Sequence, residues 1–502
     1  MAYSIFTSGQ LDSELLGIYG LGFSIRIDSI SVLMTLMIAL LGFGIIKFSK
    51  NYLDGDEHQG AFMGRLAATI CSVQLLVISG NLAILFVAWL LTSISLHRLL
   101  VFYRHRKGAQ VAAKKKFILA RLADACLLIA CGLLYQQFGT GHLAAIFEGS
   151  TKLSEAGSHL ELPALFLILA AIFKSAQFPT HGWLLEVMET PTPVSALLHA
   201  GLLNAGPFLL IRMAHVLDLG SISPVILLLV GGFSAIFGSA AYLTQTSVKT
   251  ALAYSSVAHM GFSLMVCSMG GYAAAMLHLM AHSFYKAHSF LSSGSAIDLI
   301  RSAKTKQVAN SSSALTFVIG LVCSLLVYLL IAMLWDAELL GNLPLLVVGA
   351  VIVMGVSRIF AKALSTKRNA KLLLQAVFMS VLVSVSFFSL ESAFSSMLRS
   401  SLPLTHTPSL GLMIAAGLMV FLFALAIGLQ GLTHLVPNQK LAFELGIHLR
   451  NGFYANAIFD RIINTLGIYA DAEKNSSVLT EQHRSPQHQR AIVQEKDALE
   501  LV

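Results

Sequence analysis

The sequence predicts an all-α, polytopic membrane protein with about 13 transmembrane helices, and three observations predict it. Of 502 residues, 56% are apolar and only 12% charged, whereas a water-soluble domain carries about a quarter charged residues. Apolar runs of about 20 residues recur along the chain, each long enough to cross a ~30 Å hydrocarbon core at 1.5 Å per residue. The runs are continuous rather than alternating, which excludes a β-barrel. Mean hydropathy is +0.76.

In chain order, residues 1–25 form an N-terminal extracytoplasmic segment. They lack a basic stretch followed by an apolar core and a cleavage site, so no cleaved signal peptide is expected. Spans follow near 26–47, 61–80, 81–101, 116–137, 162–179, 193–214, 224–244, 248–268 and 272–293, making a first transmembrane part over 26–300. Four more, near 314–335, 343–361, 372–396 and 409–434, make a second part over 301–435. Residues 436–470 are amphipathic and aromatic, suited to a membrane surface or a partner. Residues 471–502 are polar and read as a disordered tail.

Three segments rich in Lys and Arg, 104–116, 301–306 and 362–371, fall on one side if 13 spans alternate strictly. The net acidic 147–161 and 336–342 fall on the other. The positive-inside rule then puts the N-terminus outside and the C-terminus in the cytoplasm. The net charge of +8 is thus read as a topology signal and not as a nucleic-acid footprint. The five cysteines lie within spans without zinc-type spacing and read as apolar packers. No metal or cofactor is expected in this chain.

Ionisable residues inside spans are costly, and each is a functional hypothesis. Lys174 follows a long apolar run and precedes Pro179, where the helix should break; Ser175 and Gln177 can satisfy the freed backbone groups. It reads as a buried proton carrier on a broken helix, against the alternative of a lysine snorkelling to the interface. His278, His282 and Lys286 recur at i, i+4, i+8 and form one helical stripe. Imidazoles relay protons through either ring nitrogen; the same pair could hold a metal or haem, or simply bond neighbouring helices. Arg121 and Asp124 can pair locally. Lys249 opens a span, with His259 deeper on it, and Asp28 reads as a helix-start residue. His181, Glu186 and Glu189 read as a cytoplasmic-side polar crossing. Pro191 and Pro193 restart the next helix, on which His199 reads as a further carrier continuing the path.

These residues sit in long ordered motifs: KSAQFPTHGWLLEVMETPTPVSALLHA, then AYSSVAHMG, then HLMAHSFYKAHSFLSSGS. Over residues 26–300 the chain resembles the proton-translocating antiporter-like superfamily, the large membrane subunits of complex I and the Mrp-type antiporters. The resemblance implies an antiporter-like fold. It also implies a proton path through Lys174, Asp124, Lys249, His278, His282 and Lys286. One departure stands out. Where family members carry a glutamate after a tryptophan, this chain has Leu90 after Trp89, so the usual carboxylate partner of Lys174 is missing; His97 is the nearest substitute on that helix face. The run HGWLLEVMETPTPVSALLHAG is similar to the DabB-like membrane subunits of bacterial inorganic-carbon accumulation systems. That similarity implies a multi-pass subunit of the inner membrane, itself non-catalytic. Protons would flow through it to drive CO2 hydration in a soluble, DabA-like, zinc carbonic-anhydrase-like partner. A proton-pumping complex I-like or Mrp-type subunit is the alternative.

Overall fold

The computed structural model describes residues 9–103, 107–157, 159–187, 190–294, 314–339, 341–365, 370–403, 408–431 and 439–465. Residues up to Asn451 form one compact unit and those from Gly452 a second.

The N-terminal segment departs from an all-α chain. β1 (Gln10–Asp12) pairs antiparallel with β4 (Arg26–Asp28), and β2 (Leu16–Ile18) with β3 (Leu21–Phe23). Tyr19 and Gly20 turn the inner hairpin with φ of +52° and +76°, the left-handed pair that a two-residue hairpin loop needs. Asp28 ends β4 and caps the first helix, accepting the Ser31 N–H at 2.9 Å.

Four helices follow: α1 (Ser29–Tyr52), α2 (Gln59–Val77), α3 (Leu82–Leu100) and α4 (Lys107–Phe138), with the short α5 (Leu143–Glu155) after them. α6 (Glu161–Lys174) stops at the lysine; residues 175–181 are irregular, with Ala176 at φ +52° and a cis Phe178–Pro179 bond, before the short α7 (Gly182–Glu186). The break therefore starts four residues ahead of Pro179. Two of its polar groups are bonded: Gln177 Nε2 donates to Ser175 O at 2.8 Å, and Phe178 N donates to Ser234 Oγ at 3.1 Å.

Pro191 caps α8 (Thr192–Ala200), and Pro193 lies in its first turn, where a missing N–H costs nothing. A 3-10 turn at Leu202–Asn204 joins α8 to α9 (Ala205–Arg212), with the short α10 (Ala214–Leu217) beyond. Gly206 lets α9 press against the end of α6. A Cβ there would stand 1.9 Å from Ser175 Oγ and 2.6 Å from Ala171 O.

Then come α11 (Ser223–Tyr242), α12 (Val248–Ser268), α13 (Tyr272–Leu291), α14 (Ala314–Leu334), α15 (Leu343–Ser365), α16 (Ala370–Leu398) and α17 (Leu410–Gly431). Leu228, Met265, Met354 and Phe423 belong to one apolar cluster that joins α11, α12, α15 and α17.

Among the described residues, ten of these helices, together with the stretch Thr192–Arg212 that runs through α8 and α9, are long and apolar enough to cross a membrane. The other two expected spans coincide with α6, which has only 14 residues, and α13, whose histidines and lysine lower its hydropathy. The basic stretch 104–116 is corrected: α4 begins at Lys107, so Lys114, Lys115 and Lys116 are helical, and Lys115 and Lys116 are buried.

The amphipathic 436–470 segment contains α18 (Gln439–Arg450) in the first unit. The second unit, taken by itself, has a 3-10 turn at Gly452–Tyr454 and α19 (Ala455–Thr465). Phe453 and Tyr454 have φ of +51° and +58°, so the segment is interrupted rather than one helix. The tail 471–502 lies outside the described residues.

Candidate functional site

Lys174 is the last residue of α6, and its ammonium is buried against α3. Nζ donates to Ser93 Oγ at 2.6 Å, Thr92 Oγ1 at 3.2 Å and Trp89 O at 3.3 Å. It also lies 4.2 Å from the centroid of the Trp89 ring, within cation–π range. Two hydroxyls, a carbonyl and an aromatic face thus stand where a carboxylate was expected. These groups fix the ammonium by dipoles, and among the described residues no counter-charge is in contact with it.

α4 brings a second lysine to the same place. Lys116 Nζ donates to Ser93 O at 2.7 Å, and both lysines line a cavity of about 20 Å³. Lys115, the neighbouring residue, is fully buried and forms an ion pair with Glu186 on α7. Two turns further along α4, Asp124 pairs with Arg121 at 2.6 Å. No ion pair joins Asp124 to Lys174 among the described residues. His97 lies tilted against Phe117, ring centroids 5.7 Å apart, and does not replace the missing carboxylate at Lys174.

His181 does not line a polar crossing. It is fully buried in an aromatic cage of Phe178, Phe237 and Tyr254, with ring centroids 5.7, 5.0 and 5.9 Å away. The Pro179 turn folds it inward. Glu186 remains partly exposed beside Lys115, and Glu189 lies outside the described residues.

The second cluster lies across α8. Leu198 and Leu202 face the Lys174 cavity, whereas His199 faces α12, with Nδ1 2.9 Å from Ser256 Oγ and its ring stacked on Phe290 at 4.3 Å. Ser256 Oγ donates to Leu252 O at 3.2 Å, and Lys286 Nζ donates to the same carbonyl at 2.9 Å. Which of His199 Nδ1 and Ser256 Oγ donates between them depends on the imidazole tautomer. The result is a bonded line from His199 through Ser256 and Leu252 O to Lys286.

Beside it, the expected stripe is real. His282 and Lys286 are buried on α13, and His259 on α12 lies 5.0 Å from His282 and 5.2 Å from His278, ring to ring. His278 and His282 are nearly parallel at 6.1 Å. Among the described residues no three His, Cys, Asp or Glu side chains are grouped to hold a metal. Lys249 is at the rim, donating to Thr192 Oγ1 at 3.4 Å.

Sequence reasoning missed Lys115, Lys116, Ser93, Thr92 and Arg212. A signal existed for Lys116: it stands at i, i+4, i+8 with Ala120 and Asp124, so it shares their helix face. Arg212 lay inside an expected span and is buried. Its Nη1 donates to Asp28 Oδ2 at 2.5 Å, and Arg26 Nε reaches the same oxygen at 3.0 Å. Asp28 is therefore the centre of a charge cluster as well as a helix cap. Burial alone would raise its pKa; the Arg212 charge and hydrogen bonds outweigh that and hold the carboxyl well below its usual range.

Comparison with known proteins fits this geometry. Residues 79–298 match the family described as NADH:quinone oxidoreductase/Mrp antiporter, TM, and residues 16–63 match the complex I chain 5 N-terminus. The "probable inorganic carbon transporter subunit DabB2" of Halothiobacillus neapolitanus is 36% identical over 448 residues, covering 88% of this chain and 80% of the relative. The corresponding DabB of Hydrogenovibrio crunogenus is 37% identical over 63% of this chain and 61% of its own length. NADH-quinone oxidoreductase subunit L of Mycobacterium tuberculosis is 35% identical over 55% of this chain and 44% of its own length. The chain thus spans less than two thirds of the last two relatives. A chain of the Mrp complex from Dietzia sp. shares the fold, with TM-score 0.63 at 20% identity, over 99% of this chain and 58% of that one.

Proposed function

Because the chain belongs to the NADH:quinone oxidoreductase/Mrp antiporter family, in its DabB-like branch, we propose that it is the proton-conducting subunit of an energy-coupled inorganic-carbon accumulation complex. Protons moving inward drive the hydration of CO2 to bicarbonate in a soluble partner. That partner is a DabA-like, zinc carbonic-anhydrase-like protein on the cytoplasmic side of a bacterial inner membrane. The N-terminus is outside and the C-terminus cytoplasmic in this reading. Lys174, Asp124, Lys249, His199, His259, His278, His282 and Lys286 carry or govern the protons.

The observation that carries this reading is the Lys174 site: a buried ammonium held by Ser93, Thr92 and Trp89 with no carboxylate in contact. A lysine without a paired carboxylate gives up its proton without first breaking an ion pair, which suits a conductor running downhill. An inward proton supplies about 2.3 kcal/mol per 100 mV and about 1.4 kcal/mol per pH unit, enough to bias a reaction that lies near equilibrium. A redox-driven pump or Mrp-type antiporter is the second reading, favoured by the likeness to subunit L.

The two separate by what co-purifies. A zinc-containing soluble protein supports carbon accumulation; iron–sulfur absorption with quinone-linked activity supports the pump. In a host lacking carbonic anhydrase, the complex should restore growth at ambient CO2 and its Lys174→Ala variant should not. Growth of the variant equal to wild type would remove the proton path from the account.

A further inference from the structure

Lys116 is a buried lysine that the proton path read from the sequence does not include. α4 buries it, at the considerable cost of taking an ammonium out of water, and aims it at the residue that holds Lys174. Ser93 is the shared element, its carbonyl accepting from Lys116 Nζ at 2.7 Å and its hydroxyl from Lys174 Nζ at 2.6 Å. Both side chains line the same cavity of about 20 Å³, more than the roughly 10–15 Å³ that one water requires. Trp183 on α7, three residues before Glu186, also lines that cavity.

We propose that Lys116 is a second proton carrier, exchanging protons with Lys174 through the Ser93 hydroxyl and one cavity water. The inference rests on the proton-path reading above. In the transfer the Lys116 ammonium becomes an amine as its N–H proton passes to the water or hydroxyl. That group releases a proton to the Lys174 amine, which becomes the ammonium. One positive charge moves and no co-reactant is consumed. Two ammonium groups this close repel strongly in a low-dielectric interior, so the pair is occupied by one proton at a time. The other charged or titratable groups acting on Lys116 are Asp124 and Arg121 on its own helix and His97 on α3. On α7, Glu186 is engaged by Lys115.

The test is proton flux into liposomes holding the purified complex, under an imposed potential, read by an enclosed pH-sensitive dye. Lys116→Gln and Lys116→Arg should each lose at least tenfold in flux, because arginine keeps the charge but does not release a proton. Lys116→His should recover part of it, with the alkaline limb of the flux–pH curve moved to lower pH. That movement is one a merely structural lysine would not produce, and it serves if the Gln variant assembles poorly. Arginine conducting as well as wild type overturns the proposal, as does a histidine variant with an unmoved curve. Lys174→Gln in the same liposomes separates the levels. If it is inactive while Lys116→Arg conducts, only this inference fails. If it conducts normally, the underlying path fails too.

Discussion

The Lys174 ammonium stands over the ring of Trp89 at 4.2 Å, and the residue after that tryptophan is Leu90. The charge is steadied by an aromatic face and by hydroxyls one turn along the same helix. Hydrogen bonds to a charged group contribute about 1.5–3 kcal/mol each. Thr92→Val and Ser93→Ala should therefore each lower the melting temperature, and should lower proton flux about tenfold in the folded protein, the double variant more so. Flux measured in liposomes beside a melting curve checks this.

The second cluster makes a similar demand. Ser256 joins His199 to the carbonyl that Lys286 also uses. A carbonyl that only accepts hydrogen bonds passes no proton on, so Ser256 acts by holding the His199 ring: Ser256→Ala should reduce flux about tenfold, whereas Ser256→Thr, which restores a hydroxyl, should recover most of it. Equal flux in the Ala and Thr variants would show that this hold is not used.

The Asp28–Arg212 pair concerns stability. Breaking a buried, hydrogen-bonded ion pair costs about 3–5 kcal/mol, so Asp28→Asn should lower the melting temperature clearly. The sign of the pH dependence follows from the depressed carboxyl. Its contribution is present above the unfolded value near 3.9 and is lost as pH falls through the lower folded value. The gap between wild type and variant should hold down to about pH 4 and close only below it.

On α19, Ile458 and Ile462 are more than half exposed one turn apart. An apolar stripe of that kind suits a partner's groove. Ile462→Glu should leave the chain in the membrane and reduce recovery of the soluble partner, read by pull-down from solubilised membranes.

Much of this was legible in the residues. Apolar runs dictated helices because a backbone in lipid must bond within itself, and a lysine after such a run marked Lys174. The i, i+4, i+8 spacing of His278, His282 and Lys286 placed them on one face. What escaped has physical reasons. Lys114–Lys116 looked like a basic loop because a run of lysines ordinarily lies in water; only the burial of Lys115 against Glu186 and Lys116 against Ser93 shows otherwise. His181 carries a polar side chain, yet the turn at Pro179 folds it into rings. Arg212 was hidden by its partner, since Asp28 lies 184 residues away and local spacing says nothing of that distance. The β-hairpins at 10–28 are too short for an alternating pattern to announce them.

The central claim is that protons cross through Lys174. It is tested most directly by inward proton flux through the purified complex in liposomes, comparing wild type with Lys174→Gln at equal incorporation. The account predicts a loss of at least tenfold at every pH tested, with the partner still bound. Flux in the variant equal to that of wild type would contradict it.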